Sequence, residues 1–442
     1  MEQESLFEIA GEGVSSDWEQ VHSSARVQRP ERCQVEMQMR DLDSLLVQEH
    51  PARVVWAFVE KQDLSALYEG IRARQDRAGR APIDPQILMA LWLQATLDGV
   101  GSAREVSRRC TEHIAYEWIC GGVNVNYHTL SDFRTAHVDV LDELLTRNVA
   151  ALLCEGLVTM SRVAQDGIKV RAHVGKCSYR RRPKLEESLA QAQAQVQTLK
   201  QELHEDPAAG SRRQRAARER AVRERMQRLE RSLQRMKQLE EEDEVKRPSQ
   251  RKGPERLRVS TTDPEVLINK MPNGGYNPAV NVQLAADPVS QVITGVALAS
   301  GTDFGHLAPM LAQHKQRYGR FPDEMLVDGG YEKGEDIEWA SSPEVDCVIY
   351  CPPAKRREDA DPYQPKRGES QALGQWRIRM GSEEGKTMYL ERCKVECVNA
   401  DARRRGFTQF LVRGKQKVKA VVLWFALAHN LMREHALRLQ TV

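Results

Sequence analysis

Arg162-Val163-Ala164-Gln165-Asp166-Gly167-Ile168-Lys169-Val170 is the stretch on which the reading of this chain turns. Apolar residues before it recur at helical spacing. Here Val163, Ile168, Val170 and Val174 change period, which predicts a strand within residues 161–174, with Gly167 at a bend or bulge. The run carries one acid, Asp166. Two later stretches answer it. Met325-Leu326-Val327-Asp328-Gly329-Gly330-Tyr331 ends a short apolar strand on Asp328. Tyr389-Leu390-Glu391-Arg392-Cys393-Lys394-Val395-Glu396 opens a helix that carries Glu396.

Upstream, residues 1–40 are polar and mixed. Residues 41–158 read as an all-helical domain. Asp84 followed by Pro85 is an N-cap and first helical residue, with Ile87, Leu88, Leu91, Trp92 and Ala95 on the helix behind it. Gly99-Val100-Gly101-Ser102 breaks that helix, and Ser102 caps the next. A third helix is expected to start near Thr129 or Ser131, and a fourth to run over 141–158. Short helices joined by Gly-containing turns suit either a helix-turn-helix DNA reader or a plain helical bundle.

Downstream, residues 181–254 change character. Leu185, Leu189, Ala192, Val196, Leu199 and Leu203 follow a heptad, Asp206-Pro207-Ala208-Ala209-Gly210 turns, and Val222, Met226, Leu229, Leu233 and Met236 resume the heptad. The pattern predicts an inserted antiparallel coiled-coil hairpin. Its second arm holds eleven Arg or Lys against three Glu between Ser211 and Lys237. That is either a solvated helix face or a phosphate-tracking arm.

Strand-like sequence then resumes. Residues 277–284 and 291–298 form a β-hairpin signal around Asp287-Pro288. Helix over 303–316, strand over 321–327, helix over 334–340 and strand over 345–350 follow. Residues 352–387 are charged and Pro-containing, and are read as a loop. A helix over 389–405 and a last helix over 415–439 close the chain. The fold class is therefore α+β and multi-domain: helical segment 41–158, then a mixed sheet with flanking helices over 159–180 and 255–442, interrupted by the hairpin.

The chain has 442 residues, of which 40% are hydrophobic and 29% charged, yet its formal net charge is only +2. Any affinity for nucleic acid must come from local charge rather than from the total. Nine scattered Cys and no signal-like N-terminus predict a reduced, cytoplasmic setting. The longest apolar run, 420–432, is shorter than the roughly 20 residues a membrane span needs, so it reads as a core helix.

The chemistry rests on the acids. Two unit charges 4 Å apart interact by about 4 kcal/mol at an effective dielectric of 20. Asp166, Asp328 and Glu396 could converge only around protons or cations. Oxygen ligands without His suit two Mg²⁺ ions, or Mn²⁺, which would hold the attacking and leaving oxygens of a phosphodiester. With 63 acids in the chain, placement alone is weak; the local contexts decide.

Those contexts resemble the DDE transposases of bacterial insertion sequences, within the retroviral-integrase-like superfamily, and the likeness covers nearly the whole chain. Asp166-Gly167-Ile168-Lys169-Val170-Arg171-Ala172 is similar to the first-Asp motif, where Thr is more usual than Ile168. Thr262-Asp263-Pro264-Glu265 and Gly275-Tyr276-Asn277 resemble the segment before the paired strands, and Val327-Asp328-Gly329-Gly330-Tyr331 resembles the second-Asp motif. Tyr389, Arg392 and Glu396 fit the gaps of a Tyr-Arg-Glu-Lys signature, with Arg403 where Lys is usual. Gly406-Phe407 and Ala428-His429-Asn430-Leu431 match its C-terminal end. Gly101-Ser102-Ala103-Arg104 and Thr129-Leu130-Ser131-Asp132-Phe133-Arg134 resemble the helical domain that precedes the catalytic one.

The resemblance implies a ribonuclease H-like catalytic domain with Asp166, Asp328 and Glu396 as catalytic metal ligands. Tyr389, Arg392, Arg403, Arg104 and Arg134 would contact DNA. It further implies terminal inverted repeats and target DNA as partners, a homodimer on DNA, and work in the bacterial cytoplasm on the nucleoid. ATP is not expected, because Pro272-Asn273-Gly274-Gly275 lacks the Lys-Ser/Thr of a phosphate-binding loop. On one helix, Tyr389, Arg392, Glu396 and Arg403 would share a face. The plainer account is a solvated face with an Arg392–Glu396 ion pair. Glu391 is the rival third acid. Cys347, Cys351, Cys393 and Cys397 have zinc-like spacing, but Cys347 and Cys351 lie in an apolar run and fit small buried residues better. Rival functions are a transposase-derived DNA-binding protein without catalysis and a metal-dependent nuclease without strand transfer.

Overall fold

The period change at residue 161 does produce a strand, and it lies at the centre of the sheet. The structure is a computed structural model that describes residues 33, 39, 41–71, 73, 81–205, 212–245, 248–299, 301–354 and 361–440. Among the described residues, seven α-helices come first: α1 (Pro51–Glu60), α2 (Ser65–Glu69), α3 (Pro85–Leu97), α4 (Ala103–Glu112), α5 (Ile114–Cys120), α6 (Tyr127–Ala136) and α7 (Val138–Cys154). The Asp84 carboxylate accepts the Gln86 N–H at 2.8 Å, and Pro85 follows, so α3 begins where the cap predicts. Ser102 caps α4. The third helix expected near Thr129 starts earlier, because Asn126 accepts the Thr129 N–H at 3.0 Å and caps α6.

β1 (Arg162–Arg171) follows, then the short β2 (Tyr179–Arg180). Helices α8 (Arg182–Glu205) and α9 (Arg212–Glu244) come next, and β3 (Val259–Ser260) returns to pair antiparallel with β2. The β2–β3 pair closes the root of the helical excursion. Arg182 bonds Glu240 and Arg225 bonds Gln195, so α8 and α9 run in opposite directions. Leu185, Ala192, Leu229 and Met236 are buried between them, in a small core of their own with Leu257 and Val259. The turn expected at 206–210 lies outside the described residues.

The remaining elements are β4 (Leu267–Lys270), β5 (Tyr276–Ala286), β6 (Ile293–Ala299), α10 (Leu307–Tyr318), β7 (Glu324–Leu326), α11 (Gly334–Ala340), β8 (Val348–Tyr350), α12 (Gln371–Gly381), α13 (Glu383–Leu390), α14 (Cys393–Arg404) and α15 (Lys415–Gln440). β1 pairs antiparallel with β5 and parallel with β7. β5 pairs antiparallel with β6, and β7 parallel with β8. The spatial order is thus β6-β5-β1-β7-β8, with β4 beside the start of β5. β5 is buried without interruption from Asn281 to Ala286, as expected of a strand covered on both faces.

Three expectations need correction. Gly167 is no bulge: the β1–β5 ladder runs unbroken from Ala164↔Ala286 to Arg171↔Ala279. Residues 352–387 are not one loop. Ser370 caps α12, whose Trp376 and Met380 are buried, and Trp376 Nε1 donates to Cys351 O at 3.0 Å. So few apolar anchors left the helical period hidden among charges. The helix over 389–405 is also broken. Around residues 389–395 the backbone tightens to i→i+3 hydrogen bonds, with Arg392 N–H to Tyr389 O at 3.0 Å and Val395 N–H to Arg392 O at 3.0 Å, so Tyr389 lies on α13 and Glu396 on α14.

Helix α15 joins the parts. Its apolar run is buried from Ala420 to Leu431. It packs against α3, α6 and α7 and against β6. Trp424 Nε1 donates to Arg134 O at 3.0 Å, and the Asn430 side chain bonds the Ile293 backbone twice, at 2.8 Å each. One hydrophobic core therefore extends from Leu46 to Leu431. Among the described residues, no helix is long and apolar enough to cross a membrane.

Candidate active site

The sheet register sets two acids side by side. Ala164 on β1 is level with Leu326 on the parallel β7. Two residues further along each strand direction come Asp166 and Asp328, on matching faces by the two-residue alternation. Asp328 lies just beyond β7, where its Oδ1 accepts the Gly330 N–H at 2.7 Å and caps a short 3-10 turn over Gly329–Tyr331.

Asp166 is the best-partnered acid. Its Oδ1 accepts the Gly167 N–H at 2.9 Å, and its Oδ2 accepts Asn399 Nδ2 at 2.8 Å. The Arg392 guanidinium stands 3.7 Å away. Burial pushes the Asp166 carboxyl above its ordinary pKa. Arg392 and the Gly167 N–H pull it down, and the charges of Asp328 and Asp303 push it up again.

Asp303 is a site acid that sequence reasoning missed. It lies between β6 and α10, and its Oδ1 accepts Asn281 Nδ2 at 2.8 Å and Gln283 Nε2 at 2.7 Å. Gly167 is what lets it come so close. A Cβ at 167 would overlap Asp303 Oδ1 and would meet Asn281 Oδ1 at 2.7 Å. The signal was present in Gly301-Thr302-Asp303, an acid soon after a strand, but it read as a helix start. Tyr331, buried and bonded to Gln283 Oε1, reports the same gathering. Its hydroxyl is raised well above its ordinary pKa, by burial first and then by Asp303, Asp166 and Asp328.

Glu396 is placed differently. Its side chain is 56% exposed, against 19% for Asp166, and its Oε1 accepts Arg392 Nη2 at 2.6 Å. Arg392 therefore bridges Asp166 and Glu396. Asn399 lies one turn further along α14 and reaches Asp166, so Glu396 stands on the face of the helix turned to that acid. Tyr389 is half-buried, with the Arg392 guanidinium 5.7 Å from its ring centre. Glu391 turns elsewhere, to Lys394 at 2.9 Å and Arg162 at 4.0 Å. Arg403 is exposed at the end of α14.

The two N-terminal arginines are unlike each other. Arg104 is exposed, its guanidinium 5.0 Å from the Tyr127 ring centre. Arg134 donates to Gly101 O and stacks 4.6 Å from the Trp92 ring centre, and burial lowers its pKa to about 10. Cys347 and Cys351 are buried while Cys393 and Cys397 are exposed. His429 is held between Asp401 Oδ2 at 3.0 Å and Gln291 O at 2.9 Å. Among the described residues, no group of three or more His, Cys, Asp or Glu side chains is drawn together to hold a metal ion. The Arg392 guanidinium stands between Asp166 and Glu396.

A β6-β5-β1-β7-β8 sheet of this connectivity, with helices packed on it, is ribonuclease H-like. Two stretches of the chain match known families: residues 40–136 match a transposase domain (DUF772), and residues 351–435 match a transposase DDE domain. Both matches are to transposase domains, and together they support an insertion-sequence DDE transposase. The second match includes Arg392, Glu396 and Arg403, and neither spans Asp166 or Asp328. No curated protein and no solved structure matches the chain.

Proposed function

We propose that this chain cuts DNA at the ends of an insertion sequence and joins the freed 3′ ends to new DNA, by metal-assisted phosphoryl transfer at the Asp166–Asp328 end of the sheet. The observation that carries the reading is Asp166 itself: a buried acid, raised by its burial and by two neighbouring acids, with a guanidinium docked beside it. The donor set fits divalent cations. It is all oxygen and rich in carboxylates, and Asn399 Oδ1 is buried next to Asp166 with no hydrogen-bond partner. Asp166, Asp328 and Glu396 would hold the ions. When bound, two such ions neutralise the acids and stabilise the attacking and leaving oxygens of an in-line displacement.

The residues of the chain do the rest. The β1–β7 register fixes Asp166 and Asp328 before substrate arrives. Asn399 holds one Asp166 oxygen and orients the carboxylate. Arg392 exchanges its carboxylate partners for a phosphate of the strand, which frees Glu396 to turn toward Asp166. Arg403 grips the same strand further along α14. The 41–158 helices and the 181–254 insertion hold DNA around a catalytic domain of 159–180 and 255–442. The unit acts as a homodimer on terminal inverted repeats and target DNA, in the bacterial cytoplasm.

The test is strand cleavage and strand transfer with Mg²⁺ on a duplex carrying the element's own ends. Wild type should nick and then join, and Asp328→Ala should do neither. Equal products from both proteins would overturn the active-site reading. Cleavage without any joining by wild type would make the protein a nuclease.

A further inference from the structure

A groove of about 1090 Å³ lies between α9 and the 411–417 segment, which runs from a loop into the first turn of α15. Arg225, Arg228, Arg231 and Arg235 line its α9 wall. Their steps of three, three and four residues keep them on one helix face. Arg413, Lys415 and Lys417 line the opposite wall. The acids in the lining are Asp263 and Glu265. Asp263 is buried and turned inward, where its Oδ2 accepts the Gly414 N–H at 2.7 Å and pins the loop. Arg228 and Arg235 have partners on their own helix, Glu224 at 3.9 Å and Glu242 at 2.8 Å. Arg231, Lys415 and Lys417 enter no ion pair among the described residues.

A second groove, of about 600 Å³, is lined by Arg104, Tyr127, His128 and His173. It shares Arg413 and Lys417 with the first, so the two meet at the 411–417 segment. Arg413 is anchored there, its Nε donating to His173 O at 2.9 Å.

We propose that the two grooves form one track for the phosphate backbone of a single DNA duplex, which crosses from the N-terminal helices to α9 over the 411–417 segment. The proposal rests on the reading of the chain as an enzyme that acts on DNA, and gives that reading a path. The spacing suits the polymer. Ten residues of α9, from Arg225 to Arg235, rise about 15 Å. Each DNA strand carries a phosphate about every 3.4 Å of axis, so a helix of that length passes several phosphates of the duplex. Guanidinium groups match phosphate oxygens in pairs. With a formal net charge of only +2 for the whole chain, the attraction is local to this track.

The experiment is equilibrium binding of a fluorescent duplex of arbitrary sequence, about 30 bp or three turns long, to the full chain over a range of salt concentrations. The variants are R225A/R228A/R231A and K415A/K417A, with helix content checked by circular dichroism. Removing one phosphate-binding cation lowers the steepness of log K against log salt by about 0.9. The slope of the triple variant should therefore fall by up to about 2.7 and that of the double by up to about 1.8, on the same one-to-one complex. An unchanged slope in the folded triple variant overturns the proposal. A change in the triple but none in the double overturns the single track. Displacement by single-stranded RNA in preference to unlabelled duplex also overturns it. Duplex binding with these slopes but no Mg²⁺-dependent cleavage would strike the catalytic reading and leave the track standing. Cleavage with slopes unchanged in both variants would do the reverse.

Discussion

Asp166 and Glu396 hold the same guanidinium, yet they are held in opposite ways. Asp166 lies on a central strand, mostly buried, with hydrogen bonds to Gly167 and Asn399 and its level set by the ladder to β7. Glu396 lies on a helix, mostly exposed, and its side chain pairs with Arg392. The sheet end is built in advance. The helix side is free to respond, because an exposed ion pair contributes only about 0.2–1 kcal/mol and is screened by salt. The strand acid is fixed by its neighbours, and the helix acid is tied by one ion pair.

The largest effect should come from removing a preset acid. Asp166→Asn or Asp328→Asn should lower the cleavage rate by about 10³-fold or more, corresponding to loss of ~4 kcal/mol of charge stabilisation. Glu396→Gln should lose activity to a similar degree but change stability by less than ~1 kcal/mol. Denaturant unfolding beside single-turnover cleavage would separate the two, and a large stability loss in Glu396→Gln would break the contrast.

Asn399→Ala is expected to weaken divalent-cation affinity by about 10–100-fold, since Asn399 orients the Asp166 carboxylate. A titration read by cleavage rate against Mg²⁺ concentration checks this, and an unchanged half-saturation point would remove Asn399 from the site. Gly167→Ala tests the close approach on the other side of Asp166. Its Cβ would overlap Asp303 Oδ1. Overpacking of that kind costs about 1–3 kcal/mol, readable as a lower denaturation midpoint.

The pH dependence gives a smaller effect with a defined sign. Asp166 has a folded pKa above its ordinary value. The folded state therefore holds that proton more tightly than the unfolded chain does, and stability falls as pH rises from the ordinary Asp value of about 3.9 through the raised folded one. Without divalent cations, Asp166→Asn should be more stable than wild type at neutral pH. The gain should vanish in acid below both values. Thermal unfolding across pH measures it.

The strand framework was readable because it has a strict period. The β1, β5, β6, β7 and β8 segments all overlap predicted strands, and Asp166 and Asp328 stood at positions where alternation and register bring them level. What escaped was set by contacts across the fold. Gly167 looked like a bend, since nothing in its neighbours announces that Asp303 and Asn281 will crowd against it from β5 and beyond. Asp303 was passed over for the same reason. Residues 371–387 looked like loop because Trp376 and Met380 are too few to mark a period among charges. The break before Cys393 depends on a local tightening at Arg392 that helix-face arithmetic does not contain.

The central claim is that the preset acids await divalent cations. Mn²⁺ binding to the full chain, followed by electron paramagnetic resonance, tests it most directly. Wild type should take up Mn²⁺, Mg²⁺ should displace it, and Asp166→Asn and Asp328→Asn should each bind it more weakly by an order of magnitude or more. Equal Mn²⁺ binding by wild type and both variants would contradict the account.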